Sequence, residues 1–133
     1  MNEHLAKLAQ AMREELQAIP EAMRQDEVAR GAVICLLSNA LRQMGLIPVP
    51  AWKPPKSTRD RVDLVGVKPD TYPPEIGMAF MVDSLVELPK VRALAWVECP
   101  EKIVVTFSLR ADKVKQSTFF LSPDLVHLNI YPA

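Results

Sequence analysis

With 133 residues, 49% of them apolar and 24% charged, the composition is that of a globular chain able to bury roughly two thirds of its unfolded surface, which excludes a disordered segment. The 16 Lys and Arg residues balance 16 Asp and Glu, which excludes a general basic field for holding nucleic acid and leaves room only for a local patch. Two separated cysteines, Cys35 and Cys99, exclude a disulfide framework, and no apolar run approaches the roughly 20 residues of a membrane span. The expectation is one domain, 1–133, in the reducing cytoplasm, without a leader or a membrane anchor.

In chain order, Leu5, Leu8, Ala9, Met12, Leu16 and Ile19 recur at three- and four-residue steps and predict an amphipathic helix over 2–18. Pro20 ends it and opens the next. Over 21–44, Val28, Ala32, Val33, Leu36, Leu37, Ala40, Leu41 and Met44 form a stripe wide enough to place this helix at the centre of the domain. Gly31 inside it costs about 1 kcal/mol relative to Ala and predicts close packing against another backbone. Gly45 followed by Leu46 reads as its stop. Residues 47–61, with Pro48, Pro50, Pro54 and Pro55, read as an extended segment and loop.

Alternating apolar residues then predict strands over 61–68 and 75–82, joined by a turn at 68–74. Both faces are largely apolar, so the sheet is covered on both sides. Pro89 suits the first turn of a short helix through Trp96. Ile103–Leu109 is rich in β-branched residues and reads as a strand. Arg110–Gln116 reads as a polar connection, and Thr118–Leu121 and Leu125–Tyr131 as two further strands.

The resulting order is helix, helix, strand, strand, helix, strand. It is an α/β arrangement with a small mixed central sheet flanked by helices and with added C-terminal strands. With E-V-A-R-G-A-V-I-C-L-L in the helix, R-V-D-L-V in the first strand and P-E-I-G in the second, residues 21–107 resemble the restriction-endonuclease-like superfamily, known by its PD-(D/E)xK motif. The resemblance implies DNA as partner and Mg²⁺-dependent phosphodiester cleavage. Asp63 matches the first acid, Glu75 the second, and Glu27 the helix-borne acid that serves some members as a further ligand. Hard cations favour one or two carboxylates with water and phosphate, and the ion then polarises a phosphodiester and activates water. A lysine two residues beyond the glutamate would share its strand face, but that position is Gly77. Losing such a group typically costs about 10²–10³ in rate, so the expectation is a degenerate site in which Lys90, or else Lys56 or Lys68, stands in.

The segment holding Trp52, Lys53, Lys56, Arg59 and Arg61 is the clear concentration of positive charge, suited to phosphate contacts and base stacking. Plainer alternatives remain open for each residue. Asp63 can pair with Arg59 or Arg61, Glu75 can be a solvent-facing acid, and Glu27 can favour the helix dipole. On that reading the chain is a non-catalytic α/β domain that forms a homodimer or binds a protein partner.

Overall fold

A computed structural model describes residues 3–57 and 59–130 of the chain. Asn2 and Tyr131, the outermost residues of the expected first helix and last strand, lie outside the described residues. Helix α1 (Glu3–Ala18) buries Leu5, Leu8, Ala9, Met12 and Leu16, the stripe that a 3.6-residue period places on one face. A 3-10 turn at Glu21–Met23 leads into α2 (Asp26–Gln43).

Helix α2 fully buries Val33, Leu37 and Leu41. Its remaining apolar girth is shared with α1, because Ile34, Leu36 and Ala40 are only partly buried against the common core. The expected central helix is therefore a half-covered one. Gly31 faces open space, so no backbone crosses it closely. The stop at Gly45 forms as expected: with φ 81°, its N–H donates to Arg42 O (3.0 Å), and that of Leu46 donates to Leu41 O (2.9 Å). This bonding satisfies carbonyls that the helix end would otherwise orphan.

Five strands follow in one sheet of order β1-β2-β3-β4-β5: β1 (Ile47–Trp52), β2 (Val62–Val67), β3 (Ile76–Asp83), β4 (Glu101–Thr106) and β5 (Val126–Asn129). The first three pair antiparallel, with Val49 opposite Val65 and Leu64 opposite Phe80. The last two join in parallel, with Phe80 beside Ile103 and Val105 beside Leu128. The extended part of the proline-rich stretch is thus strand β1. Proline is admissible at a sheet edge, where its missing N–H faces outward, and β1 is an edge strand.

Parallel neighbours need a crossover, supplied by α3 (Leu88–Ala95) between β3 and β4 and by α4 (Ala111–Ser117) between β4 and β5. Helix α4 replaces the expected polar connection. It buries only Val114, so it lacks the apolar period that reveals a helix in sequence. Thr118–Phe120, expected in a strand, is a 3-10 turn with Phe119 exposed; its aromatic, β-branched composition gave way to the continuation of α4.

The sheet is covered on both faces, as its apolar strands require. Leu64, Phe80, Ile103, Val105 and Leu128 pack against α1 and α2. Val65, Ala79, Met81 and Val104 pack against Val91 and Leu94 of α3. The result is a mixed α/β sheet between helical layers, with β1 added after α2 and with α4 and a 3-10 turn where a connection and a strand were expected.

At the C-terminal edge, His127 Nε2 lies 2.7 Å from the hydroxyl of the fully buried Thr106. Burial of the ring lowers the His127 pKa, so the unfolded chain takes up a proton more readily than the folded one. Stability present above about pH 6.5, the ordinary histidine value, is therefore lost as pH falls through the folded pKa. Urea midpoints measured between pH 7.5 and pH 5.5 should decline in the native protein, and the decline should flatten in His127→Gln.

Candidate functional site

In an antiparallel hairpin the start of one strand lies beside the end of the other. Asp63, near the start of β2, therefore meets Val82 and Asp83 at the end of β3. The Val82 N–H donates to Asp63 Oδ2 (2.7 Å). Asp63 is buried, at 6% exposure, where an unpaired carboxylate would be too costly to ionise.

Two cations answer it, one from each helical layer. Arg30, on α2, donates through Nη2 to Asp63 Oδ1 and through Nε to the Val82 carbonyl (3.2 Å). Lys90 comes from the first turn of α3, where Pro89 occupies a position that needs no donor. Its Nζ lies 3.3 Å from Asp63 Oδ2, 2.8 Å from Asp83 Oδ2 and 3.5 Å from the Val82 carbonyl. Asp83 Oδ1 accepts from the Ser84 N–H (2.7 Å). Each carboxylate oxygen of the Asp63–Asp83 pair thus has a protein donor.

These groups form one wall of an open cleft of about 500 Å³. Arg59, Arg61, Asp60 and Glu87 line the rest. Arg61 is held there by donating to the Ala51 carbonyl (2.9 Å). Ala51 adopts φ 55°, a left-handed conformation costing about 1–2 kcal/mol for an L-residue. That turn of the backbone holds an arginine at the rim.

Of the expected site residues, the cleft gathers Asp63, Lys90, Arg59 and Arg61. Glu75 is not among them. It precedes β3 in the turn, where its N–H donates to Thr71 Oγ1 (3.0 Å) and its carboxylate pairs with Lys68 (3.6 Å) at the exposed surface. Strand geometry puts it about 20 Å from the Asp63 end of the hairpin. Glu27 is exposed on the first turn of α2, and the residue that α2 sends into the cleft is Arg30, one turn later.

The rest of the basic segment faces elsewhere. Lys53 Nζ donates to the Ser57 carbonyl (2.9 Å), Lys56 Nζ lies 5.8 Å from the centre of the Trp96 ring, and Trp52 lines an apolar hollow. Gly77 does not belong to the site either. A register shift at Gly66/Val67 leaves it without a cross-strand partner, and a Cβ there would lie 3.3 Å from Leu46 Cδ2 in the core.

The sequence reading missed Asp83 and Arg30. Asp83 carries a usable signal, because it is the first charged residue after the apolar run of β3 and closes the strand end that pairs with the start of β2. Arg30 carries none beyond its position on α2.

A Mg²⁺ ion was implied by the sequence resemblance. Among the described residues no three His, Cys, Asp or Glu side chains come together to hold a metal. The oxygens best placed as ligands, on Asp63, Asp83 and Val82, already accept from Arg30 or Lys90. Two positive charges thus balance the two carboxylates, and the donor set as arranged does not fit a divalent ion.

No helix among the described residues is long and apolar enough to cross a membrane. No protein-family model and no curated protein matches the chain. Among solved structures, the chain is similar to the crystal structure of a repair endonuclease from Pyrococcus abyssi, at 15% identity and a TM-score of 0.42. The similarity covers 83% of this chain and 49% of that one, so the chain spans about half the length of that structure.

Proposed function

We propose that the chain is a restriction-endonuclease-like domain with a nucleic-acid role, which engages the phosphodiester backbone at the Asp63 cleft without cleaving it. One observation carries this reading. Asp63, Asp83 and Lys90 converge at the end of a hairpin beneath two rim arginines, Arg59 and Arg61. A guanidinium offers a planar fork matched to phosphate oxygens, and Arg59 and Arg61 both line this cleft. Asp63 and Asp83 anchor the wall; Lys90 ties it together. A reduced, cytoplasmic setting suits the free thiols of Cys35 and Cys99.

Contacts to phosphate release counterions, so affinity should fall with salt by a log–log slope of about −0.9 per phosphate neutralised on duplex DNA. Fluorescence anisotropy on duplex, single-stranded and branched DNA measures this. The double change Arg59→Ala/Arg61→Ala should weaken binding and reduce the slope by about 1 per arginine. Absence of binding to all three DNA forms at low salt would sink the nucleic-acid reading, and metal-dependent strand cleavage would sink its non-cleaving form.

A second reading, a protein-interaction domain, is favoured by the apolar hollow of about 550 Å³ among Ile47, Val49, Trp52, Val67 and Ile76 on the α3 side of the sheet. Light scattering across a concentration series tests whether that face joins two copies.

A further inference from the structure

Lys90 Nζ is ringed by three oxygens: Asp63 Oδ2 on β2 (3.3 Å), Asp83 Oδ2 on β3 (2.8 Å) and the Val82 carbonyl between them (3.5 Å). An ammonium has three donors and no acceptor, so this ring can engage all of its hydrogens. Arg30 closes the other side, bridging Asp63 Oδ1 and the same Val82 carbonyl. Two strands thus present an oxygen cage, and side chains from two helices fill it. The formal charge of Asp63, Asp83, Arg30 and Lys90 together is zero, so a divalent ion would enter against two resident cations at close range.

We propose that Lys90, with Arg30, is a built-in cation that occupies the place of a divalent metal between Asp63 and Asp83. The cleft is therefore a metal-independent site, and its acid pair is a cation cage held closed by the chain itself. Mg²⁺ wants near-octahedral oxygens at about 2.0–2.1 Å. The ring around Lys90 is set wider and is tied at every carboxylate oxygen by a protein donor. Each strand end contributes one acid, and repulsion between the two is relieved by charges covalently tethered to the neighbouring helices. The arrangement needs no ligand to be electrically complete.

The proposal deepens the non-cleaving reading above, but its test contains no nucleic acid, so either can fail without the other. The probe is Mn²⁺ alone, followed by electron paramagnetic resonance of the free ion and by thermal melting. The native protein should show no saturable Mn²⁺ binding and no shift of its melting temperature with Mn²⁺ or EDTA. Lys90→Ala, which removes the central ammonium and leaves the cage one charge negative, should bind one Mn²⁺ saturably, at least about tenfold tighter than the limit the native protein sets, the scale expected from removing one adjacent like charge. Mn²⁺ should also raise the melting temperature of that variant, because a ligand that binds only the folded state stabilises it. Adding Asp83→Asn to Lys90→Ala should abolish the gain.

Should Lys90→Ala fail to fold, Lys90→Met keeps the aliphatic stem and Arg30→Gln removes the second cation, and either should open the cage in the same way. Saturable, Asp83-dependent Mn²⁺ binding by the native protein overturns the proposal. So does a folded Lys90 variant that gains none.

Discussion

Replacing Asp63 with alanine should cost about 3–5 kcal/mol, because it removes the buried carboxylate that Arg30, Lys90 and the Val82 amide share. Arg30 and Lys90 are held on Asp63 from opposite helical layers, and the Val82 N–H is bonded to it in the interior. Losing the carboxylate leaves the Val82 amide and the Arg30 Nη2 without their acceptor and leaves Lys90 to Asp83 and the Val82 carbonyl, and leaving a buried group unsatisfied costs more than a hydrogen bond contributes when made. Urea unfolding gives the free-energy change directly, and a chain of this size should lose roughly 10 °C or more in melting temperature. Asp63→Asn should cost less, since its amide oxygen can still accept from Val82. Substitutions at exposed Glu75 should stay within about 0.5 kcal/mol of native. Equal losses at Asp63 and Glu75 would contradict the placement of the site.

Gly77→Lys should destabilise the protein by more than about 3 kcal/mol and should not create a metal-dependent nuclease. A lysine at that position completes the acid-x-lysine pattern on paper. In the fold, a Cβ at Gly77 already lies 3.3 Å from Leu46 Cδ2 and 3.4 Å from Leu46 Cδ1. Overpacking of that kind costs about 1–3 kcal/mol, and burying an ammonium with no partner adds several more. Gly77→Ala separates the two effects. It should cost about 1 kcal/mol, the Leu46 side chain yielding by a few tenths of an ångström. The check is a pair of denaturant curves with a cleavage assay in Mn²⁺. A Gly77→Lys protein of native stability would show that the residue points away from Leu46.

The two substitutions also show how much of the fold and site could be read from the residues. Alternation along 61–68 and 75–82 located β2 and β3 to within a residue or so, and the helical stripes located α1 and α2, because burial imposes those periods directly. Spacing without direction does not show which acid lies beside Asp63. In a hairpin the start of the first strand faces the end of the second, which brings Asp83 near Asp63 and leaves Glu75 at the far end. Period 2 fails at a bulge: the register shift after Gly66 turns Gly77 toward Leu46, where an unbroken strand would have carried it to the opposite face. A shift of register leaves no mark in composition. The helix start that brings Lys90 beside Asp63 was legible from Pro89. Arg30 was not, because a single arginine within an apolar helix does not announce which layer it reaches across.

The prolines of β1 have a consequence for how this chain can meet others. With Pro48 and Pro50 on the outer strand, two backbone donors are missing from that margin of the sheet, and a strand from another molecule cannot add there in regular register. The opposite margin is only four residues long at β5, and Arg13 Nη2 caps the Asn129 carbonyl (3.1 Å). Prolines at one margin and a short strand with a capped carbonyl at the other make both poor templates for strand addition among the described residues. That leaves the side-chain surfaces for the proposed association, a nucleic acid at the arginine rim or, on the second reading, a protein on the apolar face.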